Sequence, residues 1–275
     1  MLTADLFGLE ELYFLEPSYD RLIDDRYSDQ LVSLEAHEGR VLVDEEERPL
    51  GMAVRTDRWY AISLTHRQPN EGIIALLDDL DLKLYQTRRE DYLGAVREYY
   101  SVILAHTEPP AIEDFSSTRM AQVKDLIQKS FKVSKKHTVL DVGCGSGLGS
   151  AAVHALGMKA LAYDMDRSLL SLGLNAGRLF FHETMQLDGS RASQYLEPVQ
   201  YGMVLMAGKI GEYNSFLWRG IIQETLALSK ETLITVETKE EAEMVMIWCK
   251  PGRKVELFVN ERDPFYDRWV VIARS

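Results

Sequence analysis

Cysteine is scarce in this chain of 275 residues: Cys144 and Cys249 are the two present, too few for a disulfide framework. A reducing compartment follows as the expectation, and with it a cytoplasmic location. Long apolar runs are missing too. Nothing approaches the roughly 18 consecutive apolar residues of a membrane-spanning helix, and residues 1–16 carry four acids, so neither a membrane segment nor a secretory leader is expected. The six histidines show no metal-ligand spacing, and no metal site is expected. Basic residues are outnumbered: 31 Lys and Arg stand against 43 Asp and Glu, for a formal net charge of −12. The imbalance is local, because residues 1–107 hold 22 acids and 11 bases while residues 108–275 hold 21 and 20. Such a surface repels phosphate backbones, which disfavours nucleic acid and leaves a small-molecule or protein partner. The acids equally serve to keep a surface soluble.

What is present is a composition, 46% hydrophobic and 27% charged, that suits a folded chain of one large or two modest domains. Pro109-Pro110, followed by Ser116-Ser117-Thr118, interrupts regular structure and then offers helix caps. This places a boundary between residues 1–110, an acidic α+β domain suited to a substrate or partner, and residues 111–275. In the first part, residues 31–34, 40–44, 50–55 and 59–64 read as strands of a small antiparallel sheet, and residues 73–84 and 92–106 as helices. In the second, an amphipathic helix over 118–131 precedes strand 138–142, helix 148–156 and strand 159–163. Further strands are expected at 181–187, 203–206, 232–237, 255–259 and 269–273. Alternation of strand and helix, then a final strand pair, predicts a doubly wound α/β sheet ending in a hairpin.

The chemistry-bearing stretch is VLDVGCGSGLG over residues 139–149, a buried strand entering a glycine-rich turn and a helix. Glycines at 143, 145 and 147 clear the backbone for a ligand, and Asp141 stands where a cationic ammonium would be met. A dinucleotide fingerprint G-x-G-x-x-G fails, since Leu148 or Ser150 occupies the last place. The stretch resembles motif I of the class I S-adenosylmethionine-dependent methyltransferases, and the resemblance extends from about Thr118 onward. It implies a Rossmann-like methyltransferase sheet and S-adenosylmethionine as the cofactor. It further implies that Asp164, ending ALAYD at 160–164, binds the ribose hydroxyls, as a carboxylate can accept from both. Asp188 in QLDG at 186–189 matches the acid that accepts from the adenine amino group. Cys144, Met165, Gly189 and Ala207 complete the implied cofactor set. Each carboxylate also has a plainer reading: Asp164 as a cap for a helix starting near Arg167, Asp188 as a turn initiator.

For catalysis the candidates lie in the loop after the fourth strand, Lys209, Glu212 and Tyr213, where such sheets place chemistry. His106 and His182 are further candidate bases, and Tyr99, Tyr100 and residues 115–119 candidate lining of an acceptor site. The Asn-Pro-Pro-Tyr signature of amino-group nucleic-acid methyltransferases is absent. Residues 203–211 and 270–274 are similar to nicotianamine synthases, which transfer an aminocarboxypropyl arm; their proline-containing glycine loop is lacking. The expected activity is therefore in-line methyl transfer to a small-molecule or protein acceptor, with aminocarboxypropyl transfer and non-catalytic cofactor binding as alternatives.

Overall fold

In the computed structural model, which describes residues 3–275, the chain divides between Val102 and Ile103, inside a helix. Met1 and Leu2, at the head of the expected first domain, lie outside the described residues. The first unit contains α1 (Thr3–Leu6), β1 (Tyr13–Phe14), α2 (Arg26–Val32), β2 (Glu38–Val43), β3 (Pro49–Arg55), β4 (Trp59–Ser63), α3 (Glu71–Asp79), β5 (Asp81–Gln86) and most of α4 (Arg89–Thr107). Its sheet has the order β1-β4-β3-β2-β5. The central hairpins are antiparallel, but β1 runs parallel to β4 and β5 parallel to β2, so the sheet is mixed and not antiparallel throughout. The direction of β5 follows from α3, which carries the chain back over the sheet between β4 and β5 and returns it in the same direction.

Two local expectations are corrected here. Residues 31–34 do not form a strand: Leu31 closes α2, one turn after Tyr27, and both are buried against Ile62 and Ile73. Residues 73–84 are not one helix. Asn70 caps α3 by accepting from Ile73 N at 2.9 Å, and the chain turns extended at Leu80 to pair with β2. The interior holds an ion pair, Arg67 Nη2 to Glu16 Oε1 at 2.5 Å, and the Glu16 carboxylate also accepts from Ser63 N.

The second unit runs from the end of α4 through α5 (Ser117–Ser130), β6 (Thr138–Val142), α6 (Leu148–His154), β7 (Lys159–Asp164), α7 (Arg167–Asn175), β8 (Thr184–Gln186), β9 (Val199–Val204), α8 (Ser215–Leu228), β10 (Ser229–Val236), α9 (Lys239–Cys249), β11 (Lys254–Val259) and β12 (Trp269–Arg274). The sheet order is β11-β12-β10-β9-β6-β7-β8. β6 to β10 are parallel, and β11 and β12 close the sheet as an antiparallel hairpin, with β12 beside β10. Much of the stretch at 181–187 is a 3-10 turn, which leaves β8 short.

Apolar periodicity explains the layering. Val123 and Ile127 on α5, Phe131 just past its end, and Ala152 and Val153 on α6 pack with Val139, Met203 and Leu233 from the sheet, and Phe131 stacks on Tyr201 with ring centroids 4.3 Å apart. A second cluster joins Leu104, Cys144, Ala162, Leu170, Leu174 and Leu179. Chain order reverses across the sheet between β6 and β9, and the crevice at the carboxyl ends of these strands is where open α/β sheets bind ligands.

Candidate functional site

At the end of β6 the backbone enters the left-handed region at every second residue: φ is 63° at Gly143, 53° at Gly145 and 85° at Gly147. Three N–H groups of the turn are engaged within the protein: Cys144 N donates to Tyr163 O, Gly145 N to Asp164 Oδ2 and Gly147 N to Cys144 O. The glycines differ in what their missing side chains would meet. A Cβ on Gly143 would have nothing within 4 Å, and one on Gly145 only Leu169 Cδ1 at 4.0 Å. On Gly147 it would lie 2.7 Å from Leu179 Cγ. The first two therefore face open space suited to a ligand, while the third is required by packing. Gly149 was not singled out by the sequence, yet a Cβ there would lie 2.9 Å from Asp141 Oδ2 and 2.8 Å from Met203 Cε, so α6 can lie close to the sheet only without it.

Asp141 is buried beneath this turn, where its Oδ2 accepts from Ser150 Oγ at 2.7 Å. Burial pushes its carboxyl up to about 6, against the hydrogen bonds from Ser150. It thus faces α6 and braces the turn from below. Cys144 is also buried, and desolvation, reinforced by Asp141 and Asp164, holds its thiol well above the ordinary value.

Asp164 ends β7 and is half-buried. Its Oδ2 accepts from Gly145 N at 2.9 Å and its Oδ1 from Asp166 N at 2.9 Å, so the carboxylate lies beside the open glycine positions. Asp166, not Asp164, caps α7, accepting from Ser168 N and Leu169 N. Met165, between them, is 63% exposed. At the end of β8, Leu187 N donates to Asp164 O, which brings Asp188 to the same edge. Asp188 caps the following 3-10 turn through Oδ1, which accepts from Ser190 N and Ser190 Oγ. Gly189 is buried against Ile221 and Tyr163.

Past β9 the loop is held from below. Met206 adopts φ 49°, a strained value for a residue with a side chain, and its N donates to Thr235 Oγ1 at 2.7 Å. Ala207 N donates to Thr235 O. Thr235 Oγ1 in turn donates to buried Asp267, which also accepts from Arg119 Nε at 3.2 Å, and Arg119 lies over the Tyr266 ring. Of the catalytic candidates, Lys209 lines a cleft of about 410 Å³ together with Met206, Glu237, Glu241, Phe265 and Tyr266. Glu212 and Tyr213 do not line it, and Tyr213 is 95% exposed. His182 is exposed next to Glu183, whose other oxygen pairs with His154 at 2.7 Å. Tyr100 does not line a site: it is buried in the first unit and donates to Glu16 O.

A strap that sequence reasoning missed lies along the glycine turn. Ala111 N donates to Ser168 O, Ser146 Oγ donates to Asp114 Oδ1 at 2.6 Å, and Arg178 links the Ser146 carbonyl to Glu113 while lying over Phe115. No local signal marks these pairs, because their members are far apart in the chain. Among the described residues no group of three or more His, Cys, Asp or Glu is placed to hold a metal, and no helix is long and apolar enough to cross a membrane.

Comparison with known proteins gives one family match: the model of the ribosomal protein L11 methyltransferase (PrmA) family covers residues 119–178, from α5 through α7. No curated protein matches the chain. Among solved structures, magnesium protoporphyrin IX methyltransferase from Synechocystis PCC 6803, crystallised with S-adenosylmethionine, superposes over 66% of this chain and 97% of its own, at 12% identity and a TM-score of 0.46. TrmN from Thermus thermophilus covers 58% of this chain and 53% of its own, at 19% identity and a TM-score of 0.45. The ribosomal protein L11 methylase from Lactobacillus delbrueckii subsp. bulgaricus covers 58% and 80%, at 19% identity and a TM-score of 0.40.

Proposed function

We propose that the second unit is a class I S-adenosylmethionine-dependent methyltransferase domain and that this protein methylates a small-molecule or protein acceptor at the carboxyl ends of β6 and β9. The observation that carries the cofactor site is the pair of glycines, 143 and 145, that face open space beside the Asp164 carboxylate. A Cβ at either position would fill that space. Gly143 and Gly145 give the cofactor its contact surface, Asp164 accepts from the ribose hydroxyls, and the Oδ2 of Asp188 accepts from the adenine amino group. Met165 and Gly189 flank the nucleoside, and Ala207 the reacting end.

When bound, the sulfonium supplies an electrophilic methyl. The chain's part is to orient: the braced turn fixes one reactant, and the strained loop at Met206, held by Thr235, presents the other. Lys209 is the candidate to take a proton from the acceptor, being the one sequence candidate that lines the cleft. The acidic residues 1–110 serve as a substrate or partner domain, and their charge favours a neutral or cationic acceptor over a polynucleotide.

The test is turnover with S-adenosylmethionine across a panel of small-molecule, protein and RNA acceptors, read by mass spectrometry. S-adenosylhomocysteine with a product heavier by one methylene supports the proposal. Methylthioadenosine would reassign the chemistry to aminocarboxypropyl transfer, methylated RNA would overturn the acceptor class, and binding without either product would make this a non-catalytic module.

A further inference from the structure

β5 is the outermost strand of the first sheet, with β2 on one side and, among the described residues, no strand on the other. An open edge presents unpaired N–H and C=O groups to any chain able to match it, and proteins protect such edges with charges, bulges or covering segments. Protection here is limited to the two charges Asp81 and Lys83, which are of opposite sign. The β2–β5 ladder runs without a register shift, and Leu84 near its end is 70% exposed. Leu80 is itself extended, at φ −98° and ψ 150°, so the extended run starts before Asp81. Leu80, Leu82 and Leu84 share one face of it. The first two pack on the cluster around Leu31, Ile62 and Ile73, and Leu84 does not.

We infer that this edge pairs with the same edge of a second copy of the chain, antiparallel about a two-fold axis at Leu82. Two constraints select that arrangement. The first is backbone geometry. In the ladder with β2, alternate residues turn their N–H and C=O inward, so the outward-facing residues are all odd or all even in number. A two-fold antiparallel partner must match residues of like parity, which puts one residue directly opposite its own copy.

The second constraint is the side chains. With the axis at Leu82, Asp81 of each copy faces Lys83 of the other, and Leu80 of each faces Leu84 of the other. With the axis at Lys83 two lysines would be directly opposed, and at Asp81 two aspartates, both destabilising. An axis at Leu84 matches Lys83 with Tyr85 and leaves every charge without a counterpart. The Leu82 axis is the one that satisfies charge and covers Leu84 together. It also sets Lys83, already 3.3 Å from Glu38 Oε1, between Glu38 and Asp81 of the second copy.

The inference is independent of the methyltransferase reading, and its test uses the full chain. Sedimentation equilibrium should show a dimer at micromolar concentration. Leu84→Lys, and separately Asp81→Lys, which opposes two lysines on each side of the axis, should each raise the dissociation constant about tenfold or more. Circular dichroism and S-adenosylhomocysteine affinity should be unchanged in both. Leu82→Cys should cross-link to its own copy under mild oxidation while Leu84→Cys should not, because Leu84 faces Leu80; native Cys144 and Cys249 are buried and stay reduced. A chain monomeric at all concentrations, a dimer indifferent to both charge substitutions, or preferential cross-linking through Leu84→Cys would overturn it.

Discussion

Alanine at Gly145 and alanine at Gly147 should differ in what they cost, the first chiefly affinity and the second chiefly stability, although the two glycines are neighbours in one turn. At Gly145 the backbone has φ 53°, so a side chain there costs about 1–2 kcal/mol for the left-handed conformation. The new Cβ meets only Leu169 Cδ1 at 4.0 Å, an ordinary contact, so no packing penalty is added. The methyl instead occupies space assigned to the ligand. Overpacking of that kind costs roughly 1–3 kcal/mol, about five- to a hundred-and-fiftyfold in affinity. At Gly147 the backbone cost is similar, but Leu179 Cγ and Cδ2 lie 2.7 and 2.8 Å from the Cβ position, and Leu179 is itself buried and cannot withdraw. Strain and overpacking together remove about 2–5 kcal/mol of stability. Denaturant unfolding and calorimetry with S-adenosylhomocysteine separate the two quantities. Native affinity in Gly145→Ala would refute the placement of the ligand, and native stability in Gly147→Ala would refute the packing argument.

Asp164→Ala should weaken S-adenosylhomocysteine binding by about 1.5–3 kcal/mol, the scale of hydrogen bonds to a charged group; unchanged affinity in calorimetry would leave the carboxylate only its bonds to Gly145 N and Asp166 N. Asp141 carries a pH signature: its folded value of about 6 lies above the ordinary 3.8, so its contribution is fully present below about pH 4 and lost as pH rises through 6. The stability of the native chain relative to Asp141→Asn should therefore fall by about 3 kcal/mol across that window and level off above it, and a flat difference would disprove the burial argument. Arg178→Ala removes the donor to the Ser146 carbonyl and the tie to Glu113, with an expected loss of about 1–3 kcal/mol in thermal unfolding and a weaker cofactor complex. Equal stability and affinity would mean that the strap does not support the turn.

The glycine turn was legible because several local signals coincide within a few residues: a buried strand, glycines at alternate positions, and a helix starting at Leu148. The boundary between α3 and β5 was not, and the reason is specific. Ile73, Leu76, Leu77, Leu80 and Leu84 satisfy a helical period, while Leu80, Leu82 and Leu84 satisfy a strand period just as well. What decides between them is pairing with β2, from residues some forty positions earlier in the chain, which no local window contains. Leu31 was misread for a related reason: a short apolar run looks alike in a strand and at the end of a helix.

The same distinction divides the candidate site. Asp164 and Asp188 could be pointed to because the family resemblance assigns roles to acids at the end of one strand and just past another, whereas Arg119, Thr235 and Asp267 meet only after the sheet has formed. Their network would matter for the proposed acceptor side, since it fixes Met206 in a conformation that nothing in the loop's own sequence demands. Without the Thr235 hydroxyl, the Met206 N–H would lose its partner and the strained φ its justification. The proposed cofactor residues thus lie in or next to short marked motifs, which a sequence pattern can capture. The conformation of the loop after β9 depends on contacts between α5, β10 and the β11–β12 connection, so the loop carrying Lys209 could be pointed to from sequence but not positioned. A substitution such as Thr235→Val, isosteric at the branch but lacking the hydroxyl, is therefore the change that would touch acceptor presentation while leaving the glycine turn and Asp164 as they are.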